Sequence, residues 1–163
     1  MRKILASAIT AAAAAAVISG AGLAAASTHT GVGGTENFQL MTTSATSPTS
    51  SIIASGVFTA PGVDHQGSKV DTVDFPGGTV QIAHSNGTGT QHFDAKTCLM
   101  TITRHGTYKL LNGTGKYAGI SGSGNYHFTA LGIGARSGGT CTQSKPPVAW
   151  HQVINASGPV SLP

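Results

Sequence analysis

The sequence predicts an all-β protein, a small antiparallel β-barrel of about eight strands, with a β-sandwich as the alternative architecture. From Glu36 onward, short runs of alternating or β-branched residues recur between turn signals. No segment beyond residue 26 sustains the apolar period of about 3.6 residues that an amphipathic helix requires. The stretch Gly106–Phe128 alternates apolar and polar residues between closely spaced glycines, a pattern typical of strands that bend at barrel corners.

The predicted strands are short, and residues that favour turns separate most of them. They cover Asn37–Thr43, Ser51–Ala60, Lys69–Phe75, Thr79–His84, Thr90–Ala95, Leu99–Arg104, Thr107–Leu111, Gly124–Leu131 and Trp150–Ala156. The strand predicted over Ser51–Ala60 is apolar on both faces, which indicates burial on both sides or pairing across an oligomer interface. Gly132–Lys145 is predicted to be a long polar loop.

Eight short segments are predicted to mark turns between these strands. They are Ser47-Pro48, Pro61-Gly62, Pro76-Gly77-Gly78, Asn86-Gly87, His105-Gly106, Asn112-Gly113, Gly138-Gly139 and Pro146-Pro147. Asn112-Gly113 is the strongest of these signals, because a type I′ turn needs positive φ at both central residues and Asn and Gly tolerate it best.

The amino-terminal segment has the pattern of a secretory signal peptide. Arg2 and Lys3 precede an Ala-rich apolar run that ends in small residues, which predicts a signal at residues 1–26 with cleavage before Ser27. The alternative is a retained membrane anchor, because a bilayer span takes about 20 apolar residues. Cleavage would leave a secreted, extracellular chain with no membrane contact, made of a flexible leader at 27–35 and one domain at 36–163.

Charge and cysteine content narrow the classes of partner. The chain carries 9 Lys and Arg against 5 Asp and Glu, and two of the basic residues belong to the predicted signal. The remaining excess is too small and too scattered for nucleic-acid binding. Cys98 and Cys141 are expected to form a disulfide, which would stabilise the fold by about 4 kcal/mol.

No metal, cofactor or catalytic signature is found. None of the seven histidines lies two or four residues from another, and no Cys-x-x-Cys occurs, so no metal site is predicted. The glycines at 113, 115 and 119 do not match a dinucleotide fingerprint, and Gly119–Ser123 does not complete a G-x-S-x-G motif. We therefore assign no catalytic residue and no cofactor, and favour a protein that is not an enzyme while leaving that question open.

Three polar residues are candidates for ligand binding. His84, Arg104 and Tyr126 each share a strand face with apolar residues, so each would place a polar tip inside an apolar lumen if that face is interior. The alternative is that His84 and Arg104 end their strands at the solvated rim and that Tyr126 only packs.

Three segments together resemble a known family. Phe75–Ile82, Gly106–Tyr126 with its GTGKYAGISGSG core, and the closing segment Ile154–Val160 are similar to the secreted bacterial relatives of allene oxide cyclase and dirigent proteins. The resemblance covers Gly56–Val160 and is most specific in the Gly-rich hairpin. It implies an eight-stranded antiparallel barrel, a lumen that holds an apolar small molecule, and often a trimer. The catalytic residues of the family match no position here, so none is transferred.

Three functions follow as hypotheses. The favoured one is a secreted binding module for an apolar small molecule. The second is a cyclase or dirigent-type enzyme that steers a reactive intermediate. This hypothesis would be favoured if His84, Arg104 or Tyr126 converged on a cavity with a carboxylate such as Glu36 or Asp94. The third is a structural or interaction protein of the cell envelope, built on a barrel whose interior is filled.

Overall fold

The computed structural model describes residues 31–163. The predicted signal peptide at residues 1–26 lies outside this range, as does the first part of the predicted leader. Within residues 31–163, no helix is both long and apolar enough to cross a membrane.

The described chain forms eleven strands, one short 3-10 helix at Gly115–Tyr117 and no α-helix. The strands are β1 (Val32–Thr42), β2 (Thr49–Ser55), β3 (Thr59–His65), β4 (Val70–Phe75), β5 (Gly78–His84), β6 (Thr88–Phe93), β7 (Leu99–Gly113), β8 (Ser121–Ile133), β9 (Ala135–Ser137), β10 (Thr140–Thr142) and β11 (Ala149–Leu162). Because β1 starts at Val32 and pairs there with Leu162 of β11, residues 32–35 belong to the barrel and not to a flexible leader.

Eight antiparallel strands close into a barrel, which confirms the predicted fold class. Neighbouring strands follow the order β5-β4-β3-β2-β1-β11-β8-β7, and the pairing of β5 with β7 closes the circle. Alternate residues of each strand point inward, as in Glu36, Phe38 and Leu40 of β1, which are all buried while the residues between them are exposed. The interior is therefore built by the period-two pattern of the sequence.

Three strands are longer than the barrel and continue past one of its ends. Strands β7, β8 and β11 have 15, 13 and 14 residues, against seven or fewer in β2 to β5. The last part of β7 pairs with β5, and its first part pairs with β6. Strand β6 thus edges a sheet that extends beyond the barrel.

The predicted strand Ser51–Ala60 is wrong, because the chain turns within it. Strands β2 and β3 form a hairpin around Gly56, whose φ of 148° suits glycine. The segment is not buried on both sides either, since Ile53 faces outward and is 45 % exposed.

Of the eight predicted turns, five are at connections between strands, whereas three lie inside or at the end of strands. Pro61-Gly62 lies within β3, where Pro61 is tolerated because β3 pairs with β4 only from Val63 onward. His105-Gly106 lies inside the continuous strand β7, and Asn112-Gly113 ends that strand, ahead of the 3-10 helix that makes the turn. Asn112 has no positive φ, so the type I′ turn is not formed.

One end of the barrel is closed by packed aromatic side chains, and we call it the closed end. The ring of Phe58 lies 5.5 Å from that of Phe75 and 5.0 Å from that of Tyr117, which the 3-10 helix carries inward. The Tyr117 hydroxyl donates to the backbone oxygen of Pro76 at 3.3 Å. This cluster fills the interior where the β2–β3, β4–β5 and β7–β8 connections meet.

A disulfide lies at the end of the extended sheet of β6, β7, β8 and β11, away from the barrel. Cys98 and Cys141 are bonded, with their Cα atoms 5.2 Å apart, which confirms the predicted pair. The segment predicted as a polar loop contains the two-stranded ribbon of β9 and β10, and Cys141 lies in β10. The disulfide therefore ties this ribbon to the residue that precedes β7.

Candidate functional site

The opposite end of the barrel, which we call the open end, contains a cavity of about 350 Å³. This volume is within the range of small-molecule sites, about 300 to 1,000 Å³. Its apolar and aromatic lining comes from Phe38, Leu40, Ile82, Tyr108, Tyr126, Phe128, Ile154 and Ala156. Polar side chains concentrate on the β3, β4 and β5 side and at the rim, so the cavity offers an apolar body with one polar side.

The structure brings the three sequence-predicted residues together. His84 at the end of β5, Arg104 in β7 and Tyr126 in β8 all line this cavity. They meet because β5, β7 and β8 are neighbours in the barrel, and because each residue is on the inward face of its strand. Arg104 is nonetheless exposed, which places its guanidinium at the rim. That these residues bind a ligand stays a prediction.

His84 and Tyr126 are held by a common backbone group. The Tyr126 hydroxyl donates to the backbone oxygen of Ser85 at 2.8 Å, and Nδ1 of His84 lies 3.4 Å from the same oxygen. Nε2 of His84 lies 3.3 Å from Oδ1 of Asp71 in β4. These contacts fix both side chains against the cavity wall, so the imidazole is oriented without a ligand.

Two tyrosines of the cavity wall lie over glycines of the neighbouring strand. Tyr126 is opposite Gly106 and Tyr108 is opposite Gly124 in the β7–β8 register. A Cβ atom at Gly106 would lie 2.6 Å from the Tyr126 ring, and one at Gly124 would lie 2.7 Å from the Tyr108 ring. Gly124, one of the glycines predicted to serve as barrel corners, and Gly106, predicted to lie in a turn, thus make room for the aromatic lining.

Asp64 is the residue that the sequence reasoning missed. It lies in β3, lines the cavity, is only 1 % exposed, and its Oδ1 has no hydrogen-bond partner among residues 31–163. Burial is the main cause that raises the pKa of Asp64 to about 7, and the nearby Asp71 carboxylate raises it further. At neutral pH both the protonated and the ionised form of this carboxyl group are therefore populated.

The alternating pattern that places Asp64 inward is present in the sequence, but a turn was incorrectly predicted at Pro61-Gly62. Ala60, Gly62 and Asp64 alternate along β3, and this period would place Asp64 inward. Interpreting Pro61-Gly62 as a turn left no strand over these residues, so their alternation was not considered.

The two carboxylates named in the cyclase or dirigent-type hypothesis, Asp94 and Glu36, lie outside the cavity. Asp94 is in the β6–β7 turn, where the backbone N–H groups of Lys96 and Thr97 donate to it and lower its pKa. Glu36 is buried at the closed end, where burial raises its pKa against the opposing effect of backbone N–H groups, and Phe58 N–H donates to its Oε2 at 3.0 Å. The carboxylates at the open end are Asp64 and Asp71 instead.

Metal ligands are sparse in the part of the chain that the structure describes. No three His, Cys, Asp or Glu side chains among residues 31–163 are arranged to hold a metal ion. Register does create one pair that the sequence spacing could not show, since His105 and His127 are opposite each other on β7 and β8 with ring centroids 5.5 Å apart. This pair is exposed and is not part of the cavity.

Comparisons with known proteins add no assignment. No family model, no curated protein and no solved structure matches this chain. The resemblance to allene oxide cyclase and dirigent relatives therefore stays a prediction from the sequence, and the site is interpreted from its own geometry.

Proposed function

We propose that this protein is a secreted barrel that binds an apolar small molecule at its open end. The observation that carries this proposal is the contrast between a closed end filled by aromatic rings and an open end with a cavity of about 350 Å³. A lumen closed at one end and lined by Phe38, Phe128 and Ile154 removes the apolar surface of a ligand from water, which is the main source of affinity for such a molecule.

The polar residues of the open end support a role in orientation. His84 and Tyr126 are fixed by Ser85 and Asp71, so they present polar atoms at set positions in a mostly apolar site. A few well-placed polar groups in an apolar pocket are the usual means by which a binding site selects one ligand orientation.

A second function, the steering of a reactive intermediate, is favoured by one observation. The buried Asp64 has a pKa near neutrality and shares the cavity with Asp71 and His84. A carboxyl group that titrates near the working pH can give or accept a proton, as general acid–base catalysis requires. Turnover of a bound ligand, followed by mass spectrometry with wild-type protein and with Asp64→Asn, separates catalysis from simple binding.

The interaction-protein alternative and the trimer implied by the resemblance depend on the outer surface. Met41, Ile53 and Val63 are exposed on the outer face of β1, β2 and β3. Light scattering on the chain from Ser27 measures its oligomeric state, and a strict monomer would weaken both ideas.

Thermal-shift measurements with a panel of lipophilic compounds test the binding proposal. We expect at least one class to raise the melting temperature, and Gln152→Trp, which places a large side chain on the cavity wall, to abolish that shift. Gln39→Trp, on the exposed face of β1, is the matched control and should leave the shift unchanged. No stabilisation by any class would count against the proposal.

Sequencing the amino terminus of protein recovered from the medium tests secretion and cleavage before Ser27.

A further inference from the structure

The open end contains one carboxyl group with no partner. Asp64 is 1 % exposed and lines the cavity, and its Oδ1 has no hydrogen-bond donor among the described residues. A buried polar atom without a partner destabilises the protein. A ligand that supplies a donor at this point would remove that cost.

The neighbouring acid already has its partners. Oδ1 of Asp71 accepts the backbone N–H of Gly67 at 2.8 Å and lies 3.3 Å from Nε2 of His84. Arg104, whose guanidinium is exposed, makes no ion pair in the part of the chain that the structure describes and does not neutralise Asp64. Asp64 is therefore the carboxyl group of the cavity whose negative charge a ligand would balance.

The rest of the wall suits a cation as well as an apolar group. Phe38, Tyr108, Tyr126 and Phe128 line the same cavity. Aromatic faces attract ammonium groups, and the attraction is stronger where water is excluded. A carboxylate beside several aromatic rings is the combination that recognises an organic ammonium group.

We propose that the open end binds an amphiphilic organic cation, with an ammonium group paired to Asp64 and an apolar body among the aromatic rings. This inference rests on the proposed function and names the chemical class of its ligand. An anionic head group would face two carboxyl groups instead, and a neutral head group would gain no charge interaction.

Binding of an ammonium group is expected to depend on pH through Asp64. Asp71 opposes the ionisation of Asp64, whereas His65 and His84 favour it, and burial keeps the pKa of Asp64 near 7. An ammonium ligand needs the ionised carboxylate, so Asp64 releases its proton when the ligand binds below this pH. Affinity should rise by about tenfold from pH 6 to pH 8 and level off above it.

Isothermal titration calorimetry with three probes of one shape tests this inference. The probes are naphthylmethylamine, naphthylmethanol and naphthoic acid, which share an apolar body and differ in the charge of the head group. We expect the amine to bind at least about tenfold more tightly than the other two at pH 8. Titrations in buffers of different ionisation enthalpy should show proton release at pH 6.

Asp64→Asn is the test variant and Asp94→Asn is its matched control. Asp94 lies in the β6–β7 turn, outside the cavity lining, where its Oδ1 accepts the backbone N–H of Lys96 at 2.8 Å. Asp64→Asn should remove the preference for the amine and its pH dependence while the alcohol still binds, which shows that the variant is folded. Asp94→Asn should change neither.

The outcomes separate this inference from the proposed function. Equal binding of the amine and the alcohol, tighter binding of the acid, or an amine preference that survives in Asp64→Asn would each overturn the inference and leave the binding function standing. Failure of all three probes, together with failure of the lipophilic panel, would remove both.

Discussion

The two ends of the barrel each bury one carboxyl group, and they treat it differently. Glu36 at the closed end is fully buried, and the backbone N–H of Phe58 donates to its Oε2 at 3.0 Å, while its Oε1 has no partner among residues 31–163. Asp64 at the open end is equally buried, but no hydrogen bond to it is found within residues 31–163. Buried charge is tolerated where hydrogen bonds satisfy it. The comparison teaches that the fold holds Glu36 through one of its oxygens, away from the cavity, whereas Asp64 lines the cavity and is left available for a ligand.

The largest predicted difference between the two ends is in the free energy of unfolding that is lost when an aromatic side chain is removed. Phe75→Ala removes a ring from the aromatic cluster of the closed end and should lower the free energy of unfolding by about 3 to 5 kcal/mol. Phe128→Ala, in the cavity wall, should cost clearly less because its ring borders a space and is not fully packed. Urea denaturation of both variants measures the difference. Equal losses would mean that the open end is as tightly packed as the closed end.

The next effect concerns the sheet that extends past the open end. Replacing both Cys98 and Cys141 by Ser opens a loop of 43 residues and should destabilise the protein by about 4 kcal/mol in the chain-entropy model. Hydrogen exchange should show the loss of protection in β9, β10 and the start of β7 before it appears at the closed end. A uniform loss of protection would contradict this separation of the two ends.

The pH dependence of the free energy of unfolding should distinguish Asp64 from Glu36. Because the pKa of Asp64 is about 7 in the folded state and lies near 3.8 when unfolded, the folded state binds an additional proton between these values. Stability therefore falls as pH rises from 4 towards 7, by up to about 1.4 kcal/mol per unit, and changes little above. Asp64→Asn should abolish this fall and be more stable than the wild type at pH 8.

Glu36→Gln provides the contrast to that measurement. Its Oε2 accepts a backbone N–H, so removing the charge also weakens a hydrogen bond that the fold uses. We expect Glu36→Gln to gain less stability at pH 8 than Asp64→Asn, measured by denaturation at matched pH. A larger gain for Glu36→Gln would reverse the assignment of the two acids.

The smallest predicted effect tests the glycine beneath an aromatic residue. Gly106→Ala would place a Cβ 2.6 Å from the Tyr126 ring and should cost about 1 to 3 kcal/mol while shifting Tyr126 away from Ser85. Gly33→Ala, on exposed β1, meets only a backbone oxygen at 3.7 Å and should be nearly neutral. Weaker binding of the naphthyl probes in Gly106→Ala, but not in Gly33→Ala, is the expected companion result.

Features that depend only on alternation along one strand could be predicted from the sequence, whereas features that depend on pairing between strands could not. Strand alternation puts His84 on the same face as Val80 and Ile82, and the structure places this face inward, with His84 at the end of β5 in the cavity lining. Asp64 was missed because Pro61 looks like a strand breaker, and only the pairing of β3 shows that its edge is unpaired there. The partner of His84, Asp71, depends on the β4–β5 register, which the sequence pattern does not determine.

The pairing of Val32 with Leu162 has a practical consequence for handling the protein. Both ends of the described chain emerge beside each other at the closed end, with the length of the barrel between them and the cavity. Attachment to a sensor surface through residue 163 would leave the open end facing the solution. Ligand capture could then be followed on immobilised protein without the attachment point competing for the same side of the molecule.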